Sequence, residues 1–137
     1  MLRIVLDTNV LVASISQKSP YHWVWLYFVE GKYELCVSTE ILNEYAEIIE
    51  RYFSVRDAEN TLNQILLSPN VIQIIRYYEW NAISQDPDDH KFFDCAVAAN
   101  AHYLVSEDNH FNVLKKIPFP SIIRLKTAEF KQIMDAF

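Results

Sequence analysis

Short apolar runs alternate along this chain with longer segments of helical periodicity. Residues 2–6 are nearly all apolar, which is typical of a strand buried on both faces. Residues 21–30 follow Pro20 and precede Gly31, so we expect a helix that ends at this glycine. Further strands are predicted at residues 34–37, 71–75, 103–106 and 122–125, and further helices at residues 39–52, 55–67, 86–101 and from residue 127 onward.

This order of elements predicts the fold class. Strands that alternate with helices usually form parallel sheets whose faces are covered by the helices. The 137 residues are enough for one domain with a hydrophobic core, and no linker or repeat interrupts them. We therefore expect a single α/β domain over residues 1–137, with a mostly parallel central sheet of about five strands and helices on both faces.

Four carboxylates stand where an apolar segment ends or a helix begins: Asp7, Glu44, Asp89 and Asp108. In an open α/β sheet, the strand ends and the helix starts that follow them meet along one edge, where ligands bind. Carboxylates gathered at this edge repel one another unless a divalent cation lies among them. The sequence therefore predicts a metal-dependent active site.

Glu44 shares its predicted helix with two other glutamates, Glu40 and Glu47. At about 100° per residue, Glu44 lies roughly 40° from Ile48, at the border of the apolar face. Glu40 and Glu47 are rotated further toward solvent. Glu44 is therefore the glutamate best placed to face the site, and an ordinary exposed glutamate is the alternative.

The segment around Asp89 offers more acids than a site needs. Asp86 is explained as a helix N-cap, and capping is also an alternative role for Asp89. Asp94 lies about 7 Å further along the same helix and is rotated by about 140° from Asp89. The two side chains cannot face the same ion, so we expect Asp89 to be the ligand and keep Asp94 as the reserve candidate.

A similar choice arises after the strand at residues 103–106, where Glu107 and Asp108 are adjacent. Side chains alternate along a strand, so Ser106 and Asp108 share one face and Glu107 points to the other. We favour Asp108, with the Ser106 hydroxyl as a group that orients it.

Composition narrows the function classes. The net charge of −6 argues against non-specific electrostatic binding of nucleic acid. Bound cations would reverse the electric field locally, so a nuclease is not excluded.

No apolar run approaches the roughly 20 residues of a membrane span. Asp7 and Asn9 interrupt the N-terminus before the apolar part of a signal peptide could form. A single glycine excludes phosphate-binding loops and dinucleotide-binding motifs.

The cysteines and histidines have no spacing typical of a metal site. Cys36 and Cys95 are expected to be reduced, buried thiols in a cytosolic protein. Structural or surface roles are expected for all four histidines: His22, His90, His102 and His110.

The motifs in this order resemble the PIN-domain family of metal-dependent ribonucleases, and look closest to the VapC-type toxins of toxin–antitoxin pairs. The segments that carry the resemblance are LDTNVLVASI with Asp7, VSTEILNEYAEII with Glu44, and DPDDHKFFDCAVAANAHYLVSEDNHF with Asp89 and Asp108. The interval from Asp89 to Asp108 is similar to the one helix and one strand that separate these acids in the family. Glu107 is a departure, because the family often has a small or basic residue there.

The resemblance implies an endoribonuclease that hydrolyses phosphodiester bonds of single-stranded RNA with Mg²⁺ or Mn²⁺. Asp7, Asp89 and Asp108 would hold the metal, and Glu44 would bind a second ion or position the attacking water. An antitoxin protein and a second copy of the chain are the implied partners, in the cytoplasm.

Three other classes compete with this interpretation. A haloacid-dehalogenase-like phosphatase needs a second aspartate two residues after the first, where this chain has Asn9. A receiver domain needs a lysine at the end of a late strand, which is not found at the expected place. A non-catalytic binding module of the same fold would not need all four acids. An RNA-processing nuclease outside any toxin–antitoxin pair remains an alternative within the family.

The predicted helix at residues 21–30 is apolar around almost its whole circumference. One stripe must cover the sheet, and an exposed aromatic stripe on the other side usually marks a protein interface. We expect a homodimer held partly by Trp23, Trp25 or Tyr27. The alternative is that the helix at residues 55–67 covers this stripe.

Overall fold

The described residues form one sheet of five parallel strands, in the order β3-β2-β1-β4-β5. The computed structural model describes residues 1–83 and 86–137. The strands are β1 (Arg3–Leu6), β2 (Glu34–Ser38), β3 (Val71–Ile74), β4 (Tyr103–Val105) and β5 (Ile123–Leu125). The predicted α/β fold with a parallel sheet of five strands is confirmed.

Helices connect the strands and cover the sheet. They are α1 (Thr8–Ser14), α2 (His22–Val29), α3 (Thr39–Tyr52), α4 (Val55–Leu67), α5 (His90–Ala98) and α6 (Thr127–Asp135). Two 3-10 helices, Pro87–Asp89 and Asn109–Lys116, precede α5 and follow β4. Helices α3 and α4 have the predicted bounds. At their N-termini, the hydroxyls of Ser38 and Ser54 act as caps and accept hydrogen bonds from the N–H groups of Ile41 and Asp57, respectively.

The central strand β1 is buried after its first residue, Arg3, which is partly exposed. Ile4, Val5 and Leu6 are at most 1 % exposed, as expected for a strand with a neighbour on each edge and helices on both faces. Its C-terminal residue, Leu6, is paired with Val105 of β4. The residues that directly follow these two strands are therefore held side by side on rigid elements.

Helix α3 is anchored at the same end of the sheet by Tyr45. This fully buried side chain donates a hydrogen bond of 2.5 Å from its hydroxyl to the carbonyl oxygen of Leu6. A buried tyrosine hydroxyl requires such a partner, since an unpaired one costs about 1–3 kcal/mol. The bond fixes the rotation of α3 and so the direction of the preceding residue, Glu44.

Helix α1 was not predicted from the sequence. Its residues include Val10 and Val12, whose branched side chains lower helix propensity. Burial decides the outcome, because Val10, Leu11 and Val12 all pack into the core. Helix α5 also ends earlier than predicted, at Ala98, and Asn100 follows it with a positive φ of 54°.

The aromatic helix α2 is covered in part by α6, a helix that the sequence did not suggest for this role. The ring of Trp23 lies 5.4 Å from that of Phe130, and the Tyr27 hydroxyl donates to Asp135 Oδ1 at 2.8 Å. Trp23, Trp25 and Tyr27 are half-buried. The most exposed apolar residues of α2 are Leu26 and Val29, and Tyr21 just before the helix is also exposed.

Two further expectations concern membrane-spanning helices and the state of the two cysteine thiols. Within residues 1–83 and 86–137, none of the helices combines the length and the apolar character needed to cross a membrane. Cys36 and Cys95 are free and buried, as predicted, and burial raises the pKa of each thiol to about 12. Neither thiol is suited to act as a nucleophile.

Candidate metal centre

Asp7 and Ser106 lie next to each other because they follow the paired strands β1 and β4. The Asp7 N–H donates to the carbonyl oxygen of Val105 at 3.0 Å, which extends the ladder between the strands by one bond. The Ser106 hydroxyl then donates to Asp7 Oδ2 at 2.7 Å. Asp7 is the N-cap residue of α1, but its side chain makes no capping hydrogen bond. Its carboxylate is instead turned toward the end of β4.

Ser106 also connects Asp7 to Asp108. The Asp108 N–H donates to the Ser106 Oγ at 2.9 Å, so one hydroxyl joins two of the predicted ligands. Arg124 of β5 supports this turn from behind, because its guanidinium donates to the carbonyl oxygens of Ser106 and Asp108 at 3.0 and 3.1 Å. We had expected the Ser106 hydroxyl to orient the Asp108 side chain; it instead donates to the carboxylate of Asp7 and accepts from the backbone of Asp108.

Asp89 occupies the most enclosed position of the group. It ends the 3-10 helix Pro87–Asp89, is 8 % exposed, and makes no side-chain capping bond to α5. Within the part of the chain that the structure describes, its Oδ2 is the one buried side-chain oxygen or nitrogen with no hydrogen-bond partner. The capping role is filled by Asp86, whose Oδ1 accepts from the Asp88 N–H at 3.0 Å.

Electrostatics link these acids to one another. Burial raises the pKa of Asp89 from 3.8 to about 6, and the negative charges of Asp86, Asp7 and Asp108 add to the effect. The pKa of Asp7 is also raised, first by burial and then by Asp108 and Glu44, against the opposing hydrogen bond from Ser106. The neighbouring carboxylates thus lie close enough to Asp7 and Asp89 to affect the ionisation of these two residues.

Glu44 reaches the cluster from α3, as its position at the border of the apolar face predicted. The Thr8 hydroxyl donates to Glu44 Oε2, and Lys91 Nζ lies 3.0 Å from Glu44 Oε1. Lys91 is largely buried here, with 12 % of its side chain exposed. Both carboxylate oxygens of Glu44 are therefore held by partners within the chain.

The alternative acids Asp94 and Glu107 make none of these contacts. Asp94 is 3 % exposed, accepts a hydrogen bond from the Trp80 N–H at 3.1 Å, and lines a polar cleft on the other side of Lys91. Burial raises its pKa, but the charged groups that affect it are His90, Glu79 and Glu40, none of which belongs to the cluster. Glu107 is exposed and forms no ion pair within the described residues.

Sequence reasoning missed three side chains of this centre: Thr8, Lys91 and His110. The Nδ1 of His110 lies 3.4 Å from Asp89 Oδ2, 3.5 Å from Asp108 Oδ1 and 3.8 Å from Asp86 Oδ2. The available signal was proximity in sequence, since Thr8 follows Asp7 directly and His110 and Lys91 each lie two residues after a predicted ligand.

The residues present fit a divalent cation. The Oδ2 of Asp89 lacks the hydrogen bond that a buried carboxylate normally has, and the charges of Asp7 and Asp108, from separate segments, lie close enough to raise its pKa. Asp86, Asp89 and His110 offer one ligand atom each, all within 4.8 Å of one another. Burial is the main cause of the raised pKa of Asp7 and Asp89, and a cation among these groups would relieve the repulsion that adds to it.

The chain is similar to known proteins in sequence profile and in fold. A sequence profile of the PIN domain matches residues 3–110. A comparison with curated protein sequences finds no match. The fold is similar to that of VapBC2 from Rickettsia felis, solved bound to a DNA fragment from its promoter, with a TM-score of 0.62, 19 % identity, and coverage of 91 % of this chain and 98 % of that one.

Two other solved structures have similar folds. One is VapC20 from Mycobacterium tuberculosis, a toxin that cleaves the Sarcin-Ricin loop, with a TM-score of 0.59, 16 % identity, and coverage of 80 % of this chain and 92 % of that one. The other is DNA-bound VapBC from Salmonella typhimurium, with a TM-score of 0.57, 17 % identity, and coverage of 93 % and 99 %. At these identities the similarity concerns the fold alone.

Proposed function

The chain belongs to the PIN domain family, and we propose that it is a divalent-metal-dependent endoribonuclease, a single nuclease domain over residues 1–137. The observation that carries this proposal is the convergence of carboxylates from separate segments on one buried oxygen without a partner, Asp89 Oδ2. A binding module has no need for such a cluster, and its like-charge repulsion would only lower stability.

Asp7, Asp89 and Asp108 are the proposed ligands of Mg²⁺ or Mn²⁺. Bound there, such an ion would polarise the scissile phosphate and lower the pKa of a water molecule that attacks it. Ser106 holds Asp7 and Asp108 in a fixed relative position through its two hydrogen bonds, of 2.7 and 2.9 Å. Fixed ligands matter because a small displacement of the reacting groups costs large factors in rate.

We assign Glu44 to orienting the attacking water or a second ion. Lys91 and Thr8 hold its two oxygens and so fix the direction of the carboxylate. The Lys91 ammonium also balances the charge of Glu44 next to the other acids, which reduces the repulsion within the cluster.

Single-stranded RNA is the proposed substrate. The site lies at the edge of the sheet, and Asp108 and His110 at its rim have side chains that are 35 % and 44 % exposed. A shallow site of this kind requires an accessible, unstacked backbone. The overall charge of −6 provides no general attraction for a polyanion, which favours local binding through the metal centre.

We also propose that this nuclease is the toxin of a toxin–antitoxin pair. The support is the similar fold of VapC20, described as a toxin, and of two VapBC proteins. An antitoxin protein is then the expected partner. The free, buried Cys36 and Cys95 support action in the reducing cytoplasm.

A homodimer through α2 is proposed as the active assembly. Leu26 and Val29 are 45 % and 47 % exposed on this helix, beside the half-buried Trp25. Apolar side chains presented together in this way usually mark an interface. Light scattering at tens of micromolar protein should give twice the chain mass, and Leu26→Glu should give the single mass. A wild-type protein that is monomeric under these conditions contradicts the proposal.

Cleavage of a single-stranded RNA pool tests the proposed activity. Wild-type protein should cleave with Mg²⁺ or Mn²⁺ and not with a chelator, and Asp7→Asn and Asp108→Asn should each reduce the rate by about a hundredfold or more, since each loses a charged ligand without a change in volume. Asp57→Asn, at the exposed start of α4, is the matched control. Near-wild-type cleavage by Asp7→Asn refutes the mechanism. RNA binding without cleavage under every metal condition supports the binding module instead.

A further inference from the structure

His110 has an unusual position among the acids. Its Nδ1 faces one carboxylate oxygen from each of three residues, Asp89, Asp108 and Asp86, at 3.4, 3.5 and 3.8 Å. All three separations exceed the 2.7–3.2 Å of an ordinary N–H···O hydrogen bond, and the shortest of them is to the buried Asp89.

Three of these residues lie close enough together for one ion to contact all of them. Asp86, Asp89 and His110 each offer one ligand atom, and these atoms lie within 4.8 Å of one another. The Oδ2 of Asp89, which has no hydrogen-bond partner within the described residues, is the oxygen nearest to the ring nitrogen.

Backbone contacts hold His110 in this position. Its N–H donates to Asp108 Oδ1 at 2.9 Å, which forms the first turn of the 3-10 helix Asn109–Lys116. Asp86 has its Oδ1 engaged in capping and leaves Oδ2 toward the ring. The imidazole is therefore placed by the turn itself, and no side-chain hydrogen bond is needed to bring it to the acids.

We propose that His110 supplies a nitrogen ligand beside the carboxylate oxygens of Asp86 and Asp89. This nitrogen makes the centre select a divalent transition-metal ion such as Mn²⁺ over Mg²⁺. Mg²⁺ prefers oxygen ligands and gives up its waters reluctantly, whereas first-row transition ions also accept an imidazole nitrogen, with an affinity that is lowest for Mn²⁺ and rises along the series to Cu²⁺. The inference rests on the proposed function, because it treats the cluster as the metal centre of the nuclease and names the ion that the centre takes.

A competing interpretation assigns His110 the role of a positive counter-ion to the three carboxylates. The two interpretations predict opposite results for the same variant. Removal of a ligand weakens binding of the transition ion, whereas removal of a positive charge strengthens binding of every cation, since nothing then competes for the acids.

The test compares Mn²⁺ and Mg²⁺ binding by calorimetry in wild-type protein, His110→Ala and His110→Asp. We expect His110→Ala to weaken Mn²⁺ binding by about tenfold or more while Mg²⁺ binding stays within about twofold, and His110→Asp to shift the preference toward Mg²⁺. His102→Ala is the matched control, because His102 is an exposed histidine just before β4, at the opposite end of that strand. His110 is itself exposed, so its variants should remain folded.

A second measurement reads the bond directly. Pulsed electron paramagnetic resonance of bound Mn²⁺ should detect a coordinated nitrogen in wild-type protein and in His102→Ala, and none in His110→Ala. The proposal is overturned if wild-type Mn²⁺ shows no nitrogen, or if His110→Ala binds both ions more tightly or equally well. Neither measurement involves RNA, so a failure of the proposed ribonuclease activity leaves this result interpretable, and a failure here leaves the cleavage test standing.

Discussion

Replacing Asp89 with asparagine should stabilise the protein when no metal is present. Burial, followed by the charges of Asp86, Asp7 and Asp108, raises the pKa of Asp89 from 3.8 to about 6. The folded state therefore holds this proton more tightly than the unfolded state does. Between about pH 4 and pH 6 the folded protein binds more protons, so its stability falls as the pH rises through this window. Asparagine keeps the shape of the protonated acid and removes the penalty.

The size of the effect follows from the pKa. A pKa of about 6 in place of 3.8 corresponds to about 3 kcal/mol. The rim of the cluster is open to solvent at Asp108 and His110, and solvent screening reduces this figure, so we expect a gain of about 1–2 kcal/mol at neutral pH. At about 4 °C per kcal/mol, this corresponds to a rise in Tm of about 4–8 °C.

Urea unfolding followed by tryptophan fluorescence, with a chelator present, measures this gain. At about pH 7.5 the Asp89→Asn protein should be more stable than wild type, and at about pH 4.5 most of the difference should be gone. Asp88→Asn, an exposed neighbour, should show no such pH dependence. Mn²⁺ at a hundred times its dissociation constant should reverse the order, since it stabilises the wild type by about 2.7 kcal/mol and the variant by much less. A wild type that is more stable than Asp89→Asn without metal at about pH 7.5 refutes the argument.

Two further variants separate structural from ligand roles. Asp94→Asn should leave Mn²⁺ affinity in calorimetry within about threefold of wild type, whereas Asp89→Asn should reduce it far more; the reverse order would make Asp94 the ligand. Ser106→Ala should weaken Mn²⁺ binding by about tenfold, because the hydroxyl that joins Asp7 and Asp108 is lost. An unchanged affinity would show that the two carboxylates hold their positions without it.

The fold was largely predictable because its signals are local. Helix α4 matches its predicted limits, since Ser54 caps its start and Pro69 follows its end. Helix α1 was missed because its stability comes from burial against distant parts of the chain, which no local pattern records. The covering of α2 by α6 depends on contacts between residues about a hundred positions apart, such as Tyr27 and Asp135.

The cluster of acids was predictable for a different reason. Asp7 and Asp108 follow strands that any parallel sheet of this order places together, and periodicity alone distinguished Glu44 from the other glutamates of its helix. His110 was not predictable, because its ring is aimed by a turn whose conformation depends on the Asp108 side chain. Lys91 was missed because its partner, Glu44, comes from another helix.

The capping of the helix starts distinguishes Asp7 and Asp89 from the other acids of the cluster. Ser38, Ser54, Asp86 and Asp108 each accept a backbone N–H with their side chains at the start of a helix. Asp7 and Asp89 occupy the same position before α1 and α5, yet their side chains make no capping bond. Such a bond is worth about 1 kcal/mol, so the fold gives up stability at both sites. A local rule that is broken twice, both times at the converging acids, is what we expect where side chains are positioned for chemistry instead of for folding.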